Sequence, residues 1–384
     1  MFPNLRKQLL SFTFTLQSKL FPIVEKEIGP LSELGKRLTA VLALLPLERF
    51  VPVSSGWKGR PASNRVVLAR AFVAKAVYNF PTTRDLIDRL RADAQLLQLC
   101  GWRRARQLPH ESTFSRAFAE FATMQLPQLV HEALIRETQS SRLVGHIARD
   151  STAIEVRERF PEKPAPAKRK SKTKVGSKKK PGPRPKGSPA PDLTRLQKQR
   201  TMTVDQMLAD LPAAECNIGA KTGSKGHQHF WRGYKLHLDV SDGQIPITAM
   251  LSSASLHDSQ MAIPMATITA QRVTSLYDLM DAAYDAKEIH AHSLSLGHKP
   301  IIDPAHRGRK SQSILPLLKK WPREFSTAEA ERYKERTMSE RVNARLKDEF
   351  GGRFIRVRGA SKVMAHLMFG VLALTADQLL RLTG

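Results

Sequence analysis

The chain of 384 residues carries 62 Lys and Arg against 35 Asp and Glu, a formal net charge of +27, and 41% of its residues are hydrophobic. Such a length allows two or three domains with a large core, and such a charge calls for a polyanion: nucleic acid first, and an anionic membrane only second, since no basic amphipathic helix with an aromatic face stands out. Two cysteines, Cys100 and Cys216, in neither CxxC nor zinc spacing, argue against a disulfide framework or structural zinc.

The opening MFPNLRKQLLSF has no signal-peptide apolar core, and the apolar runs Leu38–Pro46 and Leu367–Leu374 are too short to span a bilayer. A soluble, cytoplasmic protein with no membrane partner is expected. Residues 1–142 read as a helical domain. Apolar residues recur every three or four positions over residues 64–79, and Thr82 or Thr83 after Pro81 is placed to cap a second helix running to about Leu99. A third begins in LPHEST (108–113), with Phe114, Phe118 and Phe121 on one side. Short helices with tight turns in a basic context fit a helix-turn-helix module, and equally fit a plain helical bundle.

Residues 163–200 are rich in Lys and Pro with almost no apolar side chains, which predicts disorder across about 160–200. The segment reads either as a basic arm that tracks phosphates or as a solvated linker. Strand patterns lie on both sides of it: Leu143–Val156 before, then Trp231–Val240 and Ile245–Leu251 joined at Asp242-Gly243. They predict an antiparallel meander whose first hairpin is opened by the insert. A helix over Asp258–Thr269, a strand at Leu276–Met280, a helix over Tyr284–Leu296, a strand at Pro300–Ile302 and a long helix over about Ser326–Phe350 follow. Together they predict a mixed α/β domain, a mixed sheet flanked by helices.

The long helix carries the most specific pattern. Tyr333, Arg336, Glu340 and Lys347 are spaced by three, four and seven residues, which on an unbroken helix places them in a stripe roughly 60° wide. Met338, Val342 and Leu346 fall on nearly the opposite, core-facing side. The bland alternative is a solvent-facing helix with an i,i+4 pair between Arg336 and Glu340. Two aspartates complete an ordered set of acids: Asp150, after VGHIAR and before Ser-Thr, and Asp281, after LYDLM and within D-A-A-Y-D. Asp278 and Asp285 compete with Asp281, which is preferred because it directly follows the apolar strand. His227-Gln228-His229 and His290-x-His292 lack a partner set and read as surface histidines. His257-Asp258 is either a supporting pair beside the acids or a strand exit with Asp258 capping the next helix.

The spacing Y-x2-R-x3-E-x6-K, with Asp150 and Asp281 upstream, resembles the signature of DDE transposases from insertion-sequence groups four and five. GYKLH (233–237), the stretch 256–259 and RVRGASKVMAHLMFGVLAL near the end resemble further family segments, and GRP (59–61) with LPHESTFSRAF resembles the family's N-terminal part. Ala283 stands where the family more often has Gly. The resemblance implies an RNase H-like catalytic domain over 143–382, interrupted by the basic insert, behind an all-α DNA-binding domain. It implies that Asp150, Asp281 and Glu340 are catalytic and hold Mg²⁺, or Mn²⁺ in its place, as a pair of ions that clamp the attacking and leaving oxygens of an in-line displacement. It also implies that Tyr333, Arg336 and Lys347 contact DNA. The implied partners are double-stranded DNA, namely the element's terminal inverted repeats and its target, and a second copy in an active homodimer, in a bacterial cytoplasm beside the nucleoid. A regulator that kept the fold, or a metal-dependent nuclease that cuts without joining, would share these features.

Overall fold

The computed structural model describes residues 3–51, 63–158, 192–222, 227–304 and 325–382. The N-terminal part is helical, as its periodicity predicts: α1 (Pro3–Thr15), α2 (Phe21–Ile28), α3 (Glu33–Leu44), α4 (Arg65–Val77), α5 (Thr83–Ala92), α6 (Ala94–Cys100), α7 (Glu111–Thr123) and α8 (Leu126–Gln139). Thr82 is the cap of α5: its hydroxyl accepts from the Asp85 N–H while the Asp85 carboxylate accepts from the Thr82 N–H. The helix expected to run to Leu99 is broken at Asp93, whose carboxylate caps α6 by accepting from the Leu96 N–H. Phe114, Phe118 and Phe121 all surround Phe72, with ring centroids 5.0–6.2 Å away.

The mixed α/β expectation holds. The strands are β1 (Leu143–Glu155), β2 (Asn217–Thr222), β3 (Gln228–Ser241), β4 (Ile245–Ser253), β5 (Thr274–Met280) and β6 (Lys299–Ile302). The predicted meander is present: β3 pairs antiparallel with both β1 and β4. Strands β5 and β6 then add in parallel beside β1, giving the order β4-β3-β1-β5-β6, while β2 extends the sheet along the first half of β3. Gly233 sits where β3 passes from β2 to β4, and a Cβ there would lie 2.0 Å from the Ile154 carbonyl, so only glycine allows the strands to approach.

Three expectations need correction. Residues 192–200 are ordered: α9 (Arg195–Gln199) carries a capping box at Thr194, and α10 (Val204–Asp210) follows with another at Thr203. These short helices hold their place through an Arg195–Asp210 ion pair of 2.7 Å and a bond from Gln199 Nε2 to the Gln260 carbonyl. The rest of the basic insert, and GRP at 59–61, lie outside the described residues. Next, the long helix is two: α13 (Thr327–Lys334) and α14 (Thr337–Glu349), with the turn at Glu335–Arg336 made by i→i+3 bonds. Finally, the apolar run at 367–374 belongs to α15 (Ala360–Arg381), which is long and apolar enough to cross a membrane, yet 83% of its most apolar window is buried inside the protein. Helices α11 (Ser259–Ala270) and α12 (Lys287–Ser295) lie close to prediction.

Helix α15 explains how the parts hold together. It packs among α3, α4, α7 and α8 and also against β4, so the N-terminal helices and one face of the sheet share one continuous core. Met338, Val342 and Leu346 of α14 face into that core, as predicted. The opposite face of the sheet is covered by α11 and α12, with a smaller core around Ile263, Met280, Tyr284 and Ile302.

Candidate active site

Asp150 does not end a strand, as its sequence context implied. It lies within β1, paired with Leu238 of β3. The parallel register between β1 and β5 runs from Leu143↔Thr274 to Ala148↔Leu279. Carried two residues further, it sets Asp281 level with Asp150. Asp281 stands just beyond β5, where its carboxylate accepts from the Ala283 N–H at 3.0 Å and opens a short turn. The two acids thus meet because of strand register, not because of their distance in sequence.

Among the described residues no cation bonds either of them. Burial, and then the Asp281 charge, push the Asp150 carboxyl up to about 6. Asp281 is likewise raised, first by burial, then by Asp258 against the bond from Ala283. Arg336 and Lys221 offset part of this at both acids through their charge, without a salt bridge to either. The direct partners of Asp150 are neutral: Asn343 of α14 donates from Nδ2 to Oδ2 at 3.2 Å, and the Ser151 N–H also bonds the carboxylate. Asn343 is buried and its Oδ1 has no partner among the described residues.

Glu340 lies one helical turn before Asn343, so it is on the same side of α14. Its carboxylate, however, accepts from Arg336 at 2.7 Å and is half exposed. The structure therefore joins Asp150 with Asp281 and attaches Glu340 through Arg336. Among the described residues, no three acids, histidines or cysteines stand close enough to hold an ion together as they are. The donor set still suits a hard divalent cation: two carboxylates with no salt bridge and a buried amide oxygen with no partner among the described residues, and a third carboxylate one turn away.

The other predicted residues fall around this point. Tyr333 is half buried on α13, its ring 5.1 Å from Phe325 and with the Arg336 guanidinium 5.7 Å from its centroid. Burial pushes its hydroxyl up to about 12. Lys347 lies further along α14, and burial, then Arg353, lower its pKa. Because the helix breaks at Glu335–Arg336, the four residues do not form the single stripe an unbroken helix would give. Asp278 and Asp285 are engaged elsewhere, with His298 at 3.3 Å and His290 at 3.2 Å. Asp258 does not cap α11. It accepts from Lys235 Nζ at 2.8 Å and from the Ser151 hydroxyl at 3.0 Å, while His257 turns away to Ser259.

Sequence reasoning missed Asn343, Lys221 and the Lys235–Asp258 pair. Asn343 was legible in part, since it stands three residues after Glu340. The strand that carries Lys221 left no clear alternation to find.

Two family models match the chain: one described as Transposase DDE domain over residues 190–376, the other as Transposase domain over residues 26–120. Asp281 and Glu340 fall within the first match, and Asp150 lies between the two. No curated protein and no solved structure matches the chain.

Proposed function

Because this chain belongs to the DDE transposases of the insertion-sequence type, with an RNase H-like catalytic domain that cleaves and transfers DNA strands, we propose that it binds the terminal inverted repeats of its own element and cuts and joins them at Asp150, Asp281 and Glu340. The observation that carries this reading is the facing of two half-buried acids that no cation among the described residues bridges. Burying such a pair is costly unless a positive ligand arrives. Asp150, Asp281 and Glu340 would hold the divalent ions, Mg²⁺ or Mn²⁺ and two in number, with Asn343 beside them, bonded to Asp150. Bound there, such ions would supply positive charge to the transferred phosphoryl group and would lower the pKa of the attacking water.

The protein's own groups do the positioning. Arg336 can take a phosphate oxygen with its planar fork. A phosphate that occupies Arg336 releases Glu340, whose side chain then turns toward Asp150. Lys347 adds a second cation along the same helix, and Tyr333 offers its ring for stacking on an unstacked base at the cut. The nucleophile is water in the first step and the freed DNA 3′-hydroxyl in the second, so no covalent enzyme intermediate is needed. The active complex is a homodimer on two element ends, formed in the bacterial cytoplasm beside the nucleoid.

The test is an assay on DNA that carries the sequences flanking the gene. Cleavage and joining should require Mg²⁺ or Mn²⁺ and vanish in Glu340→Gln while end binding persists. Activity that survives chelation sinks the metal assignment. Cutting without joining makes the protein a nuclease instead.

A further inference from the structure

A second basic place lies away from the acid site, where the N-terminal helices meet the segment after α14. It is a cavity of about 480 Å³ between α4, the first turn of α5, α7 and residues 356–357. Lys75 of α4 lines it, only 7% exposed, its stem among Phe72 and Phe118. A buried ammonium ordinarily has an ion partner. This one has neither a hydrogen bond nor a salt bridge among the described residues. The nearby acids are already committed: Asp85 accepts from the Thr82 N–H at 2.9 Å and its hydroxyl at 2.7 Å, and Glu111 is paired with Arg84 at 3.2 Å. The adjacent His366 is bound to the Gly351 carbonyl at 3.0 Å and supplies no negative charge.

The lining carries more cations than acids, Lys75, Arg84 and Arg356 against Asp85 and Glu111, with the Asp85 charge near Lys75 but not bonded to it. Arg356 stands exposed at the mouth with no ion pair among the described residues. The first turn of α5 presents the positive end of its dipole to the same space. Ser115 adds a hydroxyl from α7. A polar, water-accessible cavity with a buried ammonium, an open guanidinium and a helix start is complementary to a tetrahedral anion with several acceptor oxygens.

We propose that this cleft binds a phosphate group, with Lys75 as its buried counter-charge and Arg356 as the donor at its mouth. The group is either a phosphodiester of bound DNA or a free phosphate. The first source rests on the transposase reading and the second does not. The cleft is separate from the acid site, so an Asp150→Asn variant keeps it intact.

The test uses full-length protein. Inorganic phosphate, compared with chloride at equal ionic strength, should raise the melting temperature of wild type and of Asp150→Asn by a few degrees. The gain should be lost in Lys75→Met and reduced in Arg356→Gln. Lys75→Met removes an unpaired buried charge and keeps the stem, so it should melt no earlier than wild type. Arg356→Gln, at the exposed mouth, keeps the test alive should Lys75→Met fail to fold. For the DNA source, the slope of log affinity against log salt on an end duplex should fall by about one in Lys75→Met, and a neutral methylphosphonate at one backbone position should weaken wild type but not the variant. A phosphate response with an unchanged DNA slope assigns the cleft to a free anion. No phosphate-specific stabilisation, together with an unchanged DNA slope in both variants, overturns the proposal whether or not the protein transposes DNA.

Discussion

Arg149 and Asp150 are neighbours on β1, the first fully buried and the second half-buried, and they point to opposite faces of the sheet. Arg149 faces α11, where its guanidinium forks onto Asp239 with two bonds of 2.7 Å, and Asp239 also accepts from Thr269 at 2.6 Å. Asp150 faces α14, where it meets the Asn343 amide, its own strand's Ser151 N–H and the like charge of Asp281, with Arg336 and Lys221 near it but not bonded to it. The first charge is satisfied by the fold. The second is not, and the proposed reading assigns it to a ligand. The contrast teaches that burial alone does not single out a candidate functional acid; an enclosed acid to which no cation is bonded does.

The comparison breaks most sharply through activity. Asp150→Asn and Asp281→Asn should each reduce DNA cleavage by about 10³-fold or more, with circular dichroism and melting showing an intact fold. Substitutions on the Arg149 side should do the reverse and act first on stability. Asp239→Ala leaves a fully buried guanidinium without its counter-ion, which should cost about 3–5 kcal/mol and be read directly in a denaturant titration. The double variant Arg149→Met/Asp239→Leu should recover most of that loss, since an apolar pair of similar volume suits the site. If Asp239→Ala melts like wild type, the pair is not the structural charge it is taken for.

A smaller effect separates positioning from folding on α14. Arg336→Ala should slow cleavage by roughly 10²-fold, as a phosphate displaced by about 1 Å would, with little change in melting. Val342→Asp should unfold the region, because Val342 is fully buried in the shared core. The reverse pattern would mean that α14 faces the other way in solution.

These contrasts also mark what the sequence made legible. Periodicity and capping residues located α4, α5, α7 and the meander, because local rules govern them. The spacing of Tyr333, Arg336, Glu340 and Lys347 identified the helix that matters but not its break, since neither proline nor glycine occupies Glu335–Arg336. Residues 192–200 read as disordered because their composition continues that of the basic insert, yet a capping box at Thr194 nucleates α9 there, which α11 then holds. Asn343 contacts Asp150 across 193 residues of chain. Such a contact depends on strand register and helix packing together, and no local pattern announces it. The choice of Asp281 over Asp278 and Asp285 rested on the strand it follows, and the register that levels it with Asp150 gives that choice a geometric reason.

The subtlest way to sharpen the comparison is to ask what each charge does to stability as pH changes. In the absence of divalent ions, burial and Asp281 set the Asp150 carboxyl at about 6, above the ordinary 3.8. Between about pH 4 and 6 the folded protein therefore binds a proton more readily than the unfolded chain. Stability must then fall as pH rises through that window. At pH 7.5 the ionised carboxylate costs about 2–3 kcal/mol relative to a neutral group. Asp150→Asn keeps the shape and an acceptor for Asn343 and removes that cost. In a chelating buffer at pH 7.5 the variant should melt several degrees above wild type, and the advantage should shrink to nothing near pH 4, where the wild-type acid is protonated too. Added Mg²⁺ should close the gap from the other side by stabilising wild type and not the variant. An Asp150→Asn variant that melts with wild type at every pH would mean that the carboxylate is compensated within the fold, and the two faces of β1 would no longer differ in kind.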